Sequence, residues 1–141
     1  MIKEYDGSLQ NCQEILNIDK EAFNEIHLDA QGLQKVLKRR GTYRVFIDYR
    51  EDKATGFMGL MYASTPHYDG LWVDLLATRP QYRRQGIATE LTRLAMQIAK
   101  EEGLECVTAI VRPANQSSMA VFDKLGFSHS AEDFTLLSKN M

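Results

Sequence analysis

A strand-like run, a glycine turn and an amphipathic helix follow one another between residues 71 and 103, and this order constrains the fold most. The run Leu71–Thr78 is apolar and rich in β-forming residues, which predicts a buried strand. Ile87 then opens a segment whose apolar residues recur at positions 87, 91, 94, 95, 98 and 99, the spacing of one helix face. Gly103 is suited to end this helix as a C-terminal cap. The order is typical of a mixed α/β domain.

Two arginines, Arg83 and Arg84, stand immediately before this helix, where cations are unfavourable. A helix N-terminus carries about half a positive charge and unpaired backbone N–H groups. A bound anion would remove the repulsion, and Gly86 and Ala88 keep side-chain bulk away from the turn. The sequence therefore predicts a pyrophosphate site at this turn. Two solvated arginines on a connecting loop are the alternative.

A second segment carries a matching pattern. The apolar run Cys106–Val111 is followed by Asn115, a short helical segment Ser117–Leu125 and the pair Gly126-Phe127. The turn Arg-x-x-Gly-x-Ala, followed by this asparagine and glycine-phenylalanine pair, resembles the GNAT superfamily of acetyl-CoA-dependent N-acetyltransferases. The resemblance covers Leu71–Phe127 and extends into the N-terminal half.

The resemblance implies one domain over residues 1–141 with an α/β (α+β) fold. Its sheet is expected to be mixed and mostly antiparallel, with splayed fourth and fifth strands and flanking helices. The N-terminal sequence predicts a strand Met1–Tyr5, helices Leu9–Ile26 and Ala30–Arg39, and a hairpin of strands Thr42–Tyr49 and Thr55–Ala63. Two further strands are predicted near the C-terminus, at Phe127–Ser130 and Phe134–Ser138.

The resemblance also implies that acetyl-CoA is the acyl donor and lies between the splayed strands. By motif position, the main chain of Leu76, Ala77 and Thr78 would pair with the pantetheine arm. The pyrophosphate site would be formed by Arg83, Arg84, Gln85, Gly86, Ile87, Ala88 and Thr89. Asn115 would hydrogen-bond the cofactor, and capping of the short helix is an alternative role that is compatible with the first.

The proton-transfer groups typical of the family are absent. Many members have a tyrosine acid seven residues after the motif asparagine, but this cofactor-contacting position is Phe122 here. The positions of two glutamate bases align with Ile110 and Trp72. Asp74 is the best remaining carboxylate and shares a strand face with Trp72. It is interpreted either as a catalytic or substrate-orienting group, or as an edge carboxylate bonded to an arginine or a main-chain N–H.

Two function classes follow. The first is an enzyme that transfers acetyl directly to a primary amine of a small molecule or peptide, with Asp74 or water relaying the amine proton. The second is a non-catalytic acyl-CoA-binding or regulatory domain, which Phe122 favours. Glu21, Glu25 and Asp29 recur four residues apart and either attract a cationic amine or form a solvated helix face.

Composition and charge bear on which partners and which cellular location we expect. With 44% hydrophobic and 26% charged residues, the chain is typical of soluble globular proteins, and its net charge of −2 gives no support to nucleic-acid binding. We expect no membrane partner and a cytoplasmic location, because no apolar run approaches the about 18 residues that a membrane helix needs and the N-terminus lacks a leader pattern. The basic run Lys38–Arg40 is interpreted as a solvated helix end in preference to a partner site. No metal site is expected, since Cys12, Cys106 and the three histidines lack ligand spacing. The sequence leaves open whether the chain forms a homodimer.

Overall fold

The computed structural model describes residues 1–39 and 41–141, so Arg40 of the run Lys38–Arg40 lies outside the described residues. The strands are β1 (Ile2–Glu4), β2 (Tyr43–Arg50), β3 (Lys53–Ser64), β4 (Asp69–Thr78) and β5 (Cys106–Ala109). The helices are α1 (Leu9–Ala22), α2 (Ala30–Arg39), α3 (Ile87–Glu101) and α4 (Gln116–Lys124), with a 3-10 turn at Pro80–Tyr82. The strands form one sheet in sequence order, antiparallel up to β4 and parallel between β4 and β5. This confirms the mixed, mostly antiparallel α/β fold.

Two apolar clusters lie on the two sides of the sheet. Helix α3 packs on one side, where its stripe meets strand residues; this cluster includes Phe46, Met58, Leu60, Leu71, Val73, Ile87, Leu91, Ala95 and Ile98. Helices α1 and α2 pack on the other side, in a cluster that includes Ile15, Ile18, Leu33, Val45, Ile47, Phe57 and Ala77. The helical periodicity predicted for α3 is confirmed, and the burial of both sheet faces explains why the strands are rich in apolar residues.

A β-bulge interrupts β4 at the position where the sheet opens. Leu60 pairs with Val73 and Gly59 pairs with Leu75, so Asp74 is an extra residue without a partner on β3. Pairing between β4 and β5 also ends here, at Val73 opposite Ala109. The predicted splaying of the fourth and fifth strands is therefore confirmed, and the gap between them begins at Asp74.

Helix α1 ends earlier than the sequence predicts, at Ala22 rather than Ile26. The cause is Asp19, whose buried carboxylate accepts hydrogen bonds from the amides of Glu25 and Ile26 at 3.0 and 2.9 Å. These bonds satisfy the amides outside the helix and fold the following loop back onto its end. The apolar pattern continues beyond this point, so periodicity alone misplaced the boundary.

The two strands predicted at Phe127–Ser130 and Phe134–Ser138 are wrong, because the structure has irregular backbone there. The alternating apolar side chains Phe134 and Leu136 are 79% and 91% exposed. A strand needs a neighbouring strand to take its backbone hydrogen bonds, and this segment has none in the described residues. Alternation in sequence predicts the conformation that a segment can adopt, but not the presence of its partner.

Candidate functional site

The turn before α3 leaves several backbone donors free. Gly86 is the N-cap of α3, has a left-handed φ of 81° and provides no capping side chain. Its carbonyl accepts the first helical hydrogen bond, from the amide of Glu90 at 2.9 Å. The amides of Ile87, Ala88 and Thr89 precede that donor and have no helical acceptor. Because a Cβ built on Gly86 would meet no atom within 4 Å, the turn is open to a ligand.

The two arginines before this turn face the same opening. Arg84 has a positive φ of 62°, which is strained for a residue with a side chain and costs about 1 kcal/mol or more. Both Arg83 and Arg84 line the cavity next to Gly86. Neither takes part in the ion pairs found within the described residues. Their charges therefore add to the positive end of the helix rather than being neutralised by the protein.

A cavity of about 620 Å³ runs from this turn to β4 and α4. It brings together most of the predicted cofactor residues, namely Leu76, Thr78, Arg83, Arg84, Gly86, Ile87, Ala88, Thr89 and Asn115. Sequence reasoning missed other wall residues, including Phe23, Tyr82, Ser117, Ser118 and Lys124. Phe23 arrives from the loop after α1, for which the sequence carries no local signal.

Three predicted cofactor residues have no side chain in the cavity wall. Ala77 is buried on the α1 and α2 side, although only its main chain was assigned a role. Gln85 is exposed and borders a separate hollow near Tyr49. Phe122 is 6% exposed and packs edge-on against Phe127, with ring centroids 5.0 Å apart. Phe122 therefore serves the core in this structure.

Asn115 has the capping role, one of the two roles that the sequence left open, and it also lies at the cavity. Its Oδ1 accepts a hydrogen bond from the amide of Ser118 at 3.2 Å and caps α4. The same residue lines the cavity. Capping uses the amide oxygen, so the Nδ2 group remains as a donor toward a ligand.

Asp74 is exposed and is held by a tyrosine. The Tyr43 hydroxyl donates a hydrogen bond to Asp74 Oδ2 at 2.9 Å. The donor is therefore a tyrosine, whereas the sequence suggested an arginine or a main-chain N–H. The Tyr43 side chain crosses over Gly59, where a Cβ would lie 1.9 Å from its hydroxyl oxygen. Burial, and then the charge of Asp74, raise the pKa of Tyr43 well above its ordinary value. The tyrosine therefore stays a donor at neutral pH.

The acidic residues near the loop after α1 have partners within the protein. Glu21 lies 3.5 Å from Arg79, and Glu25 pairs with Arg112 at 2.7 Å. Asp29 accepts from the amide of Gly32 at 2.7 Å at the start of α2. The pattern of carboxylates four residues apart therefore does not present one continuous acidic surface.

Neither a metal-binding cluster nor a membrane-spanning helix is found within residues 1–39 and 41–141. These ranges contain no group of three or more His, Cys, Asp or Glu side chains that could hold a metal ion. Within the same residues, no helix has the length and apolar character needed to span a bilayer. Cys12 is buried, Cys106 is half-buried, and both are free thiols.

Comparison with known proteins agrees with the geometry. The model of the acetyltransferase (GNAT) family matches residues 9–127. The fission yeast (Schizosaccharomyces pombe) protein N-alpha-acetyltransferase 30 is 32% identical over 56 residues, which are 40% of this chain and 37% of the relative. Human N-acetyltransferase 8 is 29% identical over 86 residues, covering 60% of this chain and 38% of the relative. The chain thus aligns with less than half the length of these curated relatives.

Solved structures share the fold at low identity. An aminoglycoside acetyltransferase from an uncultured soil metagenomic sample, in complex with trehalose, superposes with a TM-score of 0.83 and 18% identity, covering 100% of this chain and 96% of the other. Aminoglycoside N-acetyltransferase AAC(6')-Iy in complex with CoA gives a TM-score of 0.76 and 16% identity, with 100% of both chains covered. At these identities the likeness concerns the fold.

Proposed function

The chain belongs to the acetyltransferase (GNAT) family, and we propose that it transfers an acetyl group from acetyl-CoA directly to a primary amine of a small molecule or peptide. The observation that carries the proposal is the continuous cavity of about 620 Å³. It joins the open N-terminus of α3 to Leu76 and Thr78, at the edge of the gap between β4 and β5. We treat residues 1–141 as one catalytic domain.

The pyrophosphate and the pantetheine arm of the donor would have matching groups along this cavity. The amides of residues 87–89 and the guanidinium groups of Arg83 and Arg84 would bind the pyrophosphate. Beyond Val73 the edge of β4 that faces β5 has no pairing in the described residues. The two amides of an extended pantetheine arm would pair with the main chain of residues 76–78 at this edge. Asn115 would donate to the cofactor from the other side.

The acceptor would reach the thioester where the gap begins, beside Asp74. Its nitrogen forms a bond to the acetyl carbon, the C–S bond breaks, and CoA leaves as a thiolate. Asp74, directly or through water, would take the proton that the amine loses. Water would protonate the thiolate, because Phe122 carries no hydroxyl. Positioning of the reactants supplies much of such a rate, so the loss of one acid slows transfer without abolishing it.

A turnover screen tests this proposal. The protein is supplied with acetyl-CoA and with simple amines, an amino-terminal peptide, polyamines and an aminoglycoside, and thiol release is measured. We expect acetylation of at least one amine, with a lower rate in Asp74→Asn at pH values where the free amine is mostly protonated. A cytoplasmic location and a homodimer belong to the same proposal and are tested by fractionation and light scattering.

The second candidate is a non-catalytic acyl-CoA-binding or regulatory domain, which the buried Phe122 side chain favours. Calorimetry with acetyl-CoA separates the two. Micromolar binding without any transfer to the amines of the screen would support the binding domain. Absence of binding would contradict both candidates.

A further inference from the structure

One row of side chains on the α1 and α2 side of the sheet is left partly uncovered. Tyr43 on β2 pairs with Met61 on β3, which pairs with Trp72 on β4, so the three side chains lie side by side. We name this row the aromatic strip. Helices α1 and α2 cover neighbouring positions such as Val45 and Phe57. Met61 is 36% exposed and Trp72 is half-buried.

The aromatic strip ends beside the carboxylate at the mouth of the gap. Asp74 follows Trp72 on the same face of β4, and Tyr43 belongs to the strip while bonding Asp74 Oδ2. Among the described residues, no hydrogen bond or ion pair engages Asp74 Oδ1, so this oxygen can face a cation. A flat apolar surface, a carboxylate and the start of the gap between β4 and β5 therefore lie next to one another.

This arrangement selects among amines. Glu21 and Glu25 are paired with arginines, so extra positive charges on an acceptor would gain little from them. By contrast, Trp72 and Met61 offer a surface that an apolar ring can cover, and aromatic rings also attract cations. A substrate with one ammonium group and one flat apolar group matches both features.

We propose that the acceptor is a primary amine joined by a short chain to an aromatic or similarly flat apolar group, which lies on the aromatic strip while the amine meets Asp74. This inference rests on the proposed acetyl transfer for its chemistry but not for its binding site. It predicts that 2-phenylethylamine is a better acceptor than ethylamine by about tenfold or more in kcat/KM, as partial burial of a ring gives.

Kinetic variants test the role of the strip. Trp72→Ala is expected to lower kcat/KM for 2-phenylethylamine about tenfold, and to leave that for ethylamine nearly unchanged. Trp72→Phe keeps a flat ring and is expected to keep most of the preference, which separates loss of the surface from loss of the fold. Met96 has the same 36% exposure as Met61 of the strip but lies on α3, so Met96→Ala is the control for loss of an exposed apolar side chain elsewhere. Equal losses for both amines in Trp72→Ala would overturn the proposal.

Binding is measured independently of turnover, because Trp72 is the chain's single tryptophan. In the presence of CoA, titration with 2-phenylethylamine is expected to give a saturable change in the fluorescence of Trp72. Titration with ethylamine is expected to give a much weaker change. A saturable change without acetylation of either amine would support the strip and contradict the proposed function. Acetylation that favours ethylamine or spermidine would contradict acceptor binding at the aromatic strip but not the proposed acetyl transfer. A titration without saturable change would contradict the same binding role and would likewise not bear against acetyl transfer.

Discussion

Tyr43 reaches across the sheet and donates a hydrogen bond to Asp74 at 2.9 Å, over a glycine on the strand between them. The bulge at Asp74 turns this carboxylate out of the regular pairing, and the tyrosine then fixes one of its oxygens. An exposed carboxylate at a bulge would otherwise sample several rotamers. The hydrogen bond therefore orients the group proposed to accept the amine proton.

Gly59→Ala tests the close approach that this contact requires. The added Cβ would lie 1.9 Å from the tyrosine hydroxyl oxygen, so the ring must move and its bond to Asp74 is lost. We expect the free energy of unfolding to fall by about 1–3 kcal/mol in urea denaturation, with a lower rate of acetylation. Gly41→Ala is the control, because a Cβ there meets no atom within 4 Å. Equal effects of the two substitutions would contradict the steric argument.

The raised pKa of Tyr43 predicts loss of stability in alkali. The folded state favours the neutral phenol, mainly through burial, so this contribution is fully present below the unfolded pKa of about 10. It is lost as the pH rises above that value toward the folded pKa. Burial raises the pKa of Tyr5 and Tyr49 in the same direction. We expect urea midpoints to fall above about pH 10, and to fall less steeply in Tyr43→Phe. Identical slopes in the two proteins would exclude a contribution from Tyr43.

Gly86→Val tests the phosphate turn against a matched glycine at the other end of α3. Gly86 and Gly103 have φ angles of 81° and 70°, and both would place a Cβ in open space. Valine is strained at such positive φ angles, so Gly86→Val and Gly103→Val are each expected to lower the free energy of unfolding by about 1–2 kcal/mol. Only Gly86→Val places its side chain in the cavity, and calorimetry should show at least about tenfold weaker CoA binding for it alone. Unchanged affinity would remove the assignment of the turn to the pyrophosphate.

Arg84→Gly separates charge from backbone strain. The substitution relieves the positive φ of 62°, so we expect the free energy of unfolding of the ligand-free protein to stay level or rise by up to about 1 kcal/mol. The affinity for CoA should nevertheless fall, while that for pantetheine, which lacks the pyrophosphate, changes little. Arg93→Gly, on the exposed face of α3, is the control for loss of a positive charge. Similar losses for CoA and pantetheine would show that Arg84 acts through the fold.

The sequence predicted the features that depend on local pattern. Periodicity identified α3, and residue types at the turn identified the cluster around Gly86, because a helix start and its donors are set by consecutive residues. Long-range relationships were not predicted in this way. The bulge at Asp74 depends on register with β3, and its tyrosine partner lies 31 residues away in sequence. The loop that brings Phe23 to the cavity depends on the buried side chain of Asp19.

A double-mutant cycle decides whether Tyr43 acts through Asp74. We expect Asp74→Asn to lower kcat/KM for a good amine by about 10²-fold or more, because it removes the proposed base. Tyr43→Phe leaves the base but releases its orientation, and is expected to lower kcat/KM about tenfold with little change in acetyl-CoA binding. In the double variant there is no carboxylate left to orient. Its rate should therefore equal that of Asp74→Asn, a coupling of about 1.4 kcal/mol. Losses that simply multiply would mean that the tyrosine contributes independently, and the proposed orientation of Asp74 would be wrong.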